Sequence, residues 1–113
     1  MLSSEAKTGT FAATGPMSTP REGHTETVLV SGTVLVADGN GGGGPLSTAE
    51  LYNPVSGLFA LTGTMTSKRD YASATLLGSG DVLIAGSGNS GPFLASAKLY
   101  SPGAGTFAAT GSM

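Results

Sequence analysis

The strongest constraint on this chain is that it repeats itself. Shifted by 48 residues, the stretch from Ser18 to Met65 lies on Thr66 to Met113 without a gap, with 20 identities over 48 positions. Agreement is best toward the closing ends. Ala49-Glu50-Leu51-Tyr52-Asn53-Pro54 answers Ala97-Lys98-Leu99-Tyr100-Ser101-Pro102, and Gly57-Leu58-Phe59 answers Gly105-Thr106-Phe107. A second shift by 48 puts Gly9 to Met17 on the same closing segment, whereas residues 1–8 match nothing. A fixed period of this size signals a supersecondary unit that buries its apolar surface only by stacking on neighbours. The chain therefore reads as the end of one unit in 1–17, with an outer strand at about 9–17, followed by two full units, 18–65 and 66–113.

Within a unit, apolar residues alternate or run for four to eight positions, are rich in Val, Leu, Thr and Tyr, and are bounded by Gly, Pro, Asn or Ser, which is the signature of strands. Four strands per unit are expected: Gly23 to Val30 and Tyr71 to Gly78; Val34 to Ala37 and Val82 to Ala85; Thr48 to Tyr52 and Ser96 to Tyr100; Leu58 to Leu61 and Thr106 to Ala109. Ser31-Gly32-Thr33 and Ser79-Gly80-Asp81 supply tight turns in which Gly takes the positive φ. Four short antiparallel strands every 48 residues describe the blade of a β-propeller. The expected fold is all-β: a partial propeller of two complete four-stranded antiparallel blades plus one extra terminal strand.

Composition narrows the function classes. With no Cys, chemistry that needs thiolate ligands or disulfides is excluded. Five Lys and Arg against seven Asp and Glu, a net charge of −2, offer no basic patch for a phosphate backbone, so no nucleic-acid partner is expected. No run of about 18 apolar residues is present, so no helical membrane insertion is expected. The amino end lacks the charged-then-apolar layout of a secretory signal, although few Lys and many Thr, Ser and Gly suggest a secreted or cell-surface bacterial parent.

Arg-x-x-His at Arg21 and His24, Ala-Glu-Leu-Tyr-Asn-Pro at Ala49 to Pro54, and Gly-x-Phe followed by Thr-Gly-x-Met together resemble the kelch-repeat propellers, particularly the bacterial kelch-type repeats. The resemblance covers residues 9–113. It departs from the family where Phe59 and Phe107 stand in place of a Trp, and where Ala72 answers His24. It implies rings of more than two blades, whose loops commonly bind protein segments or small sugars near the central channel.

Strand alternation puts the connection into the first strand (17–22, 65–70) and the second-to-third loop (38–47, 86–95) at one end of the blades, with short turns at the other. Long loops on a rigid scaffold are where binding resides. The candidate ligand-binding residues are therefore Arg21, Glu22, His24, Asn40, Arg69, Asp70, Tyr71 and Asn89. Arg21 and Arg69 recur with the repeat, so they either clamp a ligand carboxylate or pin an adjacent blade's loop through its carbonyls. His24 and Glu26 point to one face of the innermost strand, as two metal ligands, an acid–base pair, or polar residues facing a channel. Asp38-x-Asn40 opens like a calcium loop, but Ala49 stands where the closing carboxylate belongs.

The function expected is a non-catalytic scaffold binding a protein or glycan, with no cofactor. Two alternatives stand beside it. One is a fragment of a propeller enzyme acting on sugars, with its catalytic residues on blades this chain does not contain. The other is a self-assembling blade pair. Two blades leave two apolar faces open, so their partners are further blades, from a parent chain or from other copies.

Overall fold

The computed structural model describes residues 13–65, 68–86 and 96–111. It forms eight strands in two sheets: β1 (Thr25–Val28), β2 (Val34–Ala37), β3 (Ala49–Asn53) and β4 (Leu58–Leu61), then β5 (Ser73–Leu76), β6 (Val82–Ala85), β7 (Ala97–Ser101) and β8 (Thr106–Ala109). Each sheet is an antiparallel meander, in the order β1-β2-β3-β4 and β5-β6-β7-β8. The register repeats with the sequence. Glu26, Val36, Glu50 and Leu61 lie side by side across the first sheet, as Ala74, Ile84, Lys98 and Ala109 do across the second. The protein is all-β, with two propeller blades and no helix among the described residues.

The first strands are shorter than their sequence suggests, because both ends are occupied otherwise. Gly23 and Tyr71 sit at positive φ, 66° and 54°, which breaks the extended backbone before it starts. At the other end Leu29 and Leu77 close tight turns: Leu29 N–H donates to Thr33 O and Leu77 N–H to Asp81 O, each at 2.8 Å. Of the extra terminal strand, 9–12 lie outside the described residues. Residues 13–17 are not paired as a strand but cross the blade's rim, where Gly15 N–H donates to Gly57 O at 2.8 Å.

Strand periodicity divides each sheet into two faces. In the first blade, Leu35, Ala37, Ala49 and Leu51 share one face, and Val34, Val36, Tyr52 and Phe59 share the other. The core joins the first of these faces to the opposite face of the second blade. Leu35, Ala37, Ala49, Val82, Ile84 and Tyr100 form one buried cluster with Leu29 and Met65, and Leu51, Ala72, Ala74 and Phe107 pack against it. The rings of Tyr52 and Phe59, and of Tyr100 and Phe107, meet tilted at 4.8 Å within each sheet. The blades thus stack face to face in tandem, with β1 beside β5.

Candidate functional site

The two recurring arginines build the base of the loop end. Arg21 Nη1 donates to the carbonyls of Asp38 and Thr48, each at 2.9 Å, and Nη2 to Thr48 Oγ1 at 3.0 Å. Arg69 repeats the pattern on Gly86 O (3.0 Å), Ser96 O (2.9 Å) and Ser96 Oγ (2.9 Å). The planar guanidinium fork matches paired carbonyls at the splayed ends of β2–β3 and β6–β7. Each arginine therefore clips the loop of its own blade, whereas the sequence suggested the adjacent one. Contact with the neighbour runs through the backbone: Gly39 N–H donates to Arg69 O at 2.8 Å, and Arg69 N–H to Leu46 O at 2.9 Å.

Arg21 also pairs with Glu50 at 3.2 Å, with both side chains fully buried. Glu50 accepts from the backbone N–H of Ser18 (2.7 Å) and Thr19 (3.2 Å), tying the incoming segment to β3. Burial works to raise the Glu50 pKa, but the Ser18 amide, the Arg21 hydrogen bond and the Thr19 amide outweigh it and hold the carboxyl below its ordinary range. Lys98 takes the equivalent position in the second blade.

Asp38 is the group the sequence did not single out as a site. It ends β2 in a left-handed conformation, φ 55°, and is fully buried. Thr25 Oγ1 lies 3.3 Å from its Oδ2, while its Oδ1 has no hydrogen-bond partner among the described residues. Desolvation raises its pKa to about 7 against the lowering effects of the Thr25 hydrogen bond and the charges of Arg21 and Arg69. Burial in turn lowers the Arg69 pKa, partly offset by Asp38. The available signal was the repeat itself: a carboxylate stands where the second unit has Gly86, also at positive φ.

Around this base the loop end is stitched together. Glu22 and Asn40 exchange backbone hydrogen bonds at 3.0 and 2.7 Å, which brings the entering segment against the β2–β3 loop. Asn40 Oδ1 accepts from Gly42 N–H at 2.8 Å and holds the Gly-rich turn. A groove of ≈ 260 Å³ opens there, lined by Pro20, Arg21, Glu22, Asn40, Gly41 and Gly42. Tyr71, 48% exposed, lies directly over Gly23, where a Cβ would fall 2.5 Å from its ring. Its N–H donates to Gly23 O at 2.8 Å.

The structure therefore brings Glu22, Asn40 and Tyr71 to one accessible edge. Arg69 and Asp70 are fully buried, and the Arg21 side chain is consumed in its network. His24 donates from Nε2 to Glu26 Oε2 at 2.9 Å, while its buried Nδ1 has no hydrogen-bond partner among the described residues. Among the described residues no group of three His, Asp or Glu could hold a metal ion. Asn89 lies outside the described residues.

Neither a protein-family model nor a curated protein sequence matches the chain. Among solved structures it is similar to one described as the structure of YjhT, with a TM-score of 0.71 and 13% identity over 83% of this chain and 38% of that one. It is also similar to a fungal alcohol oxidase with catalytic diversity among the AA5 family, in complex with copper, with a TM-score of 0.70 and 16% identity over 82% of this chain and 22% of that one. This chain spans less than half the length of either. At such identities the likeness is one of fold, and with the two four-stranded sheets it makes this chain a propeller-like all-β protein whose blades do not close a ring.

Proposed function

We propose that the chain is a kelch-type propeller segment that binds a ligand at its loop end without transforming it, and that the ligand is a glycan. The observation that carries this is Tyr71. A bulky aromatic residue in left-handed backbone costs on the order of 1 kcal/mol or more and persists where its surroundings over-determine it, often at binding sites. Here the strain holds an exposed ring over Gly23, the residue after Glu22, whose backbone pairs with Asn40. An aromatic face flanked by hydrogen-bonding groups suits the alternating apolar and hydroxyl surfaces of a sugar. The arginine clips beneath it limit the loop motion that binding would otherwise have to freeze.

A second reading, a segment of a propeller enzyme acting on sugars, is favoured by the likeness to the alcohol oxidase. It would place the chemistry on other blades of a longer parent.

Glycan-array binding by the unmodified chain and by Tyr71→Asn tests the proposal, since Asn tolerates the same backbone conformation but lacks the ring. The expected result is saccharide binding by the first and its loss in the second, with the fold intact by circular dichroism. Binding that survives in Tyr71→Asn, or binding of peptides alone on a parallel peptide array, contradicts it.

A further inference from the structure

We infer that the open faces of the two blades fit each other, so that a second copy of this chain docks head to tail on the first. The internal interface supplies the template. In the second blade, Val82, Ile84 and Tyr100 are 0% exposed because the first blade covers them. Their counterparts 48 residues earlier, Val34, Val36 and Tyr52, form the outward face of the first blade, and there Val34 and Tyr52 are only half-buried. Between them lies an apolar hollow of ≈ 240 Å³ walled by Val34, Val36, Tyr52 and Phe59, with Thr14 and Glu26 at its rim.

The complementary surface is the outward face of the second blade, Leu83, Ala85, Ala97 and Leu99. These residues correspond to Leu35, Ala37, Ala49 and Leu51, the set that covers the second blade within the chain, with no change of residue type at any of the four positions. At the apolar centre the receiving faces match, with Val36 for Ile84 and identical Val and Tyr, while on the same faces Glu50 stands for Lys98 and Glu26 for Ala74. A surface that already fits its partner inside the molecule fits the same partner when a copy presents it. Because the two docking faces are different, the contact is heterologous and propagates until a ring closes.

Two features weaken the docking and make it depend on concentration. Glu26 stands in blade 1 where blade 2 has Ala74, and its side chain is 63% exposed, so docking desolvates a carboxylate. Segments 9–17 and 105–113 differ only at Pro16 and Ser112. Thr14 and Gly15 of one copy occupy the rim position that Thr110 and Gly111 of the incoming copy would take, as Thr62 and Gly63 do against Tyr100 and Gly105. One of the two near-identical segments has to leave.

Light scattering of the purified full chain across a concentration series tests the inference. Mass rising above 11.0 kDa toward integral multiples is expected. Glu26→Ala should reach the same species at about tenfold lower concentration, the equivalent of relieving one partly desolvated carboxylate. Leu99→Lys and Val34→Lys should each stay single, and a mixture of the two should stop at two chains, since only one intact pair of faces remains. Should either variant fail to fold by circular dichroism, Glu26→Ala carries the test alone. A chain that remains at 11.0 kDa throughout overturns the inference and leaves the faces to further blades of a longer parent. Assembly unmoved by these substitutions overturns it by locating the contact elsewhere.

Discussion

Asp38 shows how a single residue couples the blade junction to pH. Its folded pKa of about 7 lies above the ordinary value of 3.8, so folding takes up a proton between those values. Stability from this group is complete below about pH 4 and is lost as the pH rises through 7, by on the order of 4 kcal/mol at full effect. Urea unfolding at a series of pH values should therefore show stability falling from pH 4 to pH 7, and Asp38→Asn should flatten that slope. Glu50 acts with the opposite sign: held below its ordinary pKa, it stabilises above about pH 4.5 and ceases to do so on further acidification. Gly23 is a second sensitive position, because φ 66° and the Tyr71 ring both exclude a Cβ. Gly23→Ala should cost about 2 kcal/mol or more, and about 1 kcal/mol less in a Tyr71→Asn background, where only the backbone strain remains.

At the scale of strands, the buried fork of Arg21 replaces the backbone pairing that β2 and β3 lose where they diverge into their loop. Arg21→Met should cost about 3 kcal/mol in urea unfolding, because it strands the Glu50 carboxylate and two carbonyls at once. Adding Glu50→Met should recover part of that loss. Tyr100→Phe removes the 2.8 Å hydrogen bond to Thr62 that seats the inter-blade connection, and should cost about 1 kcal/mol. The strands themselves were legible because alternation and turn glycines are local signals: β2, β4, β6 and β8 begin and end where the pattern says. Side-chain roles were less so. Arg21 and Arg69 were visible as a recurring pair, but whether a guanidinium reaches its own loop or its neighbour's depends on how the strand ends splay, which no residue pattern encodes. Arg69 and Asp70 read as loop residues and are buried, since the chain entering the second blade is covered by the first blade's loop through Gly39 and Leu46. Asp38 reads from sequence as the opening of a loop that lacks a closing calcium ligand, and its role as a buried, strained carboxyl shows only with its burial.

The whole molecule is two sheets that stack in tandem, one face of the first against the opposite face of the second. That arrangement places the β2–β3 loop and Arg69 at one end of the stack, and it leaves a matched pair of surfaces unsatisfied. A β-sandwich closed by the two like faces would bury Val34 and Tyr52 against Val82 and Tyr100 instead, and would take the loop-end site apart. Methyl-resolved NOE spectroscopy separates these directly. The tandem stack predicts cross-peaks from the Leu35 and Leu51 methyls to those of Val82 and Ile84 and to the Tyr100 ring. Their absence, with cross-peaks from Val34 and Val36 to Val82 and Ile84 within one chain, would contradict it.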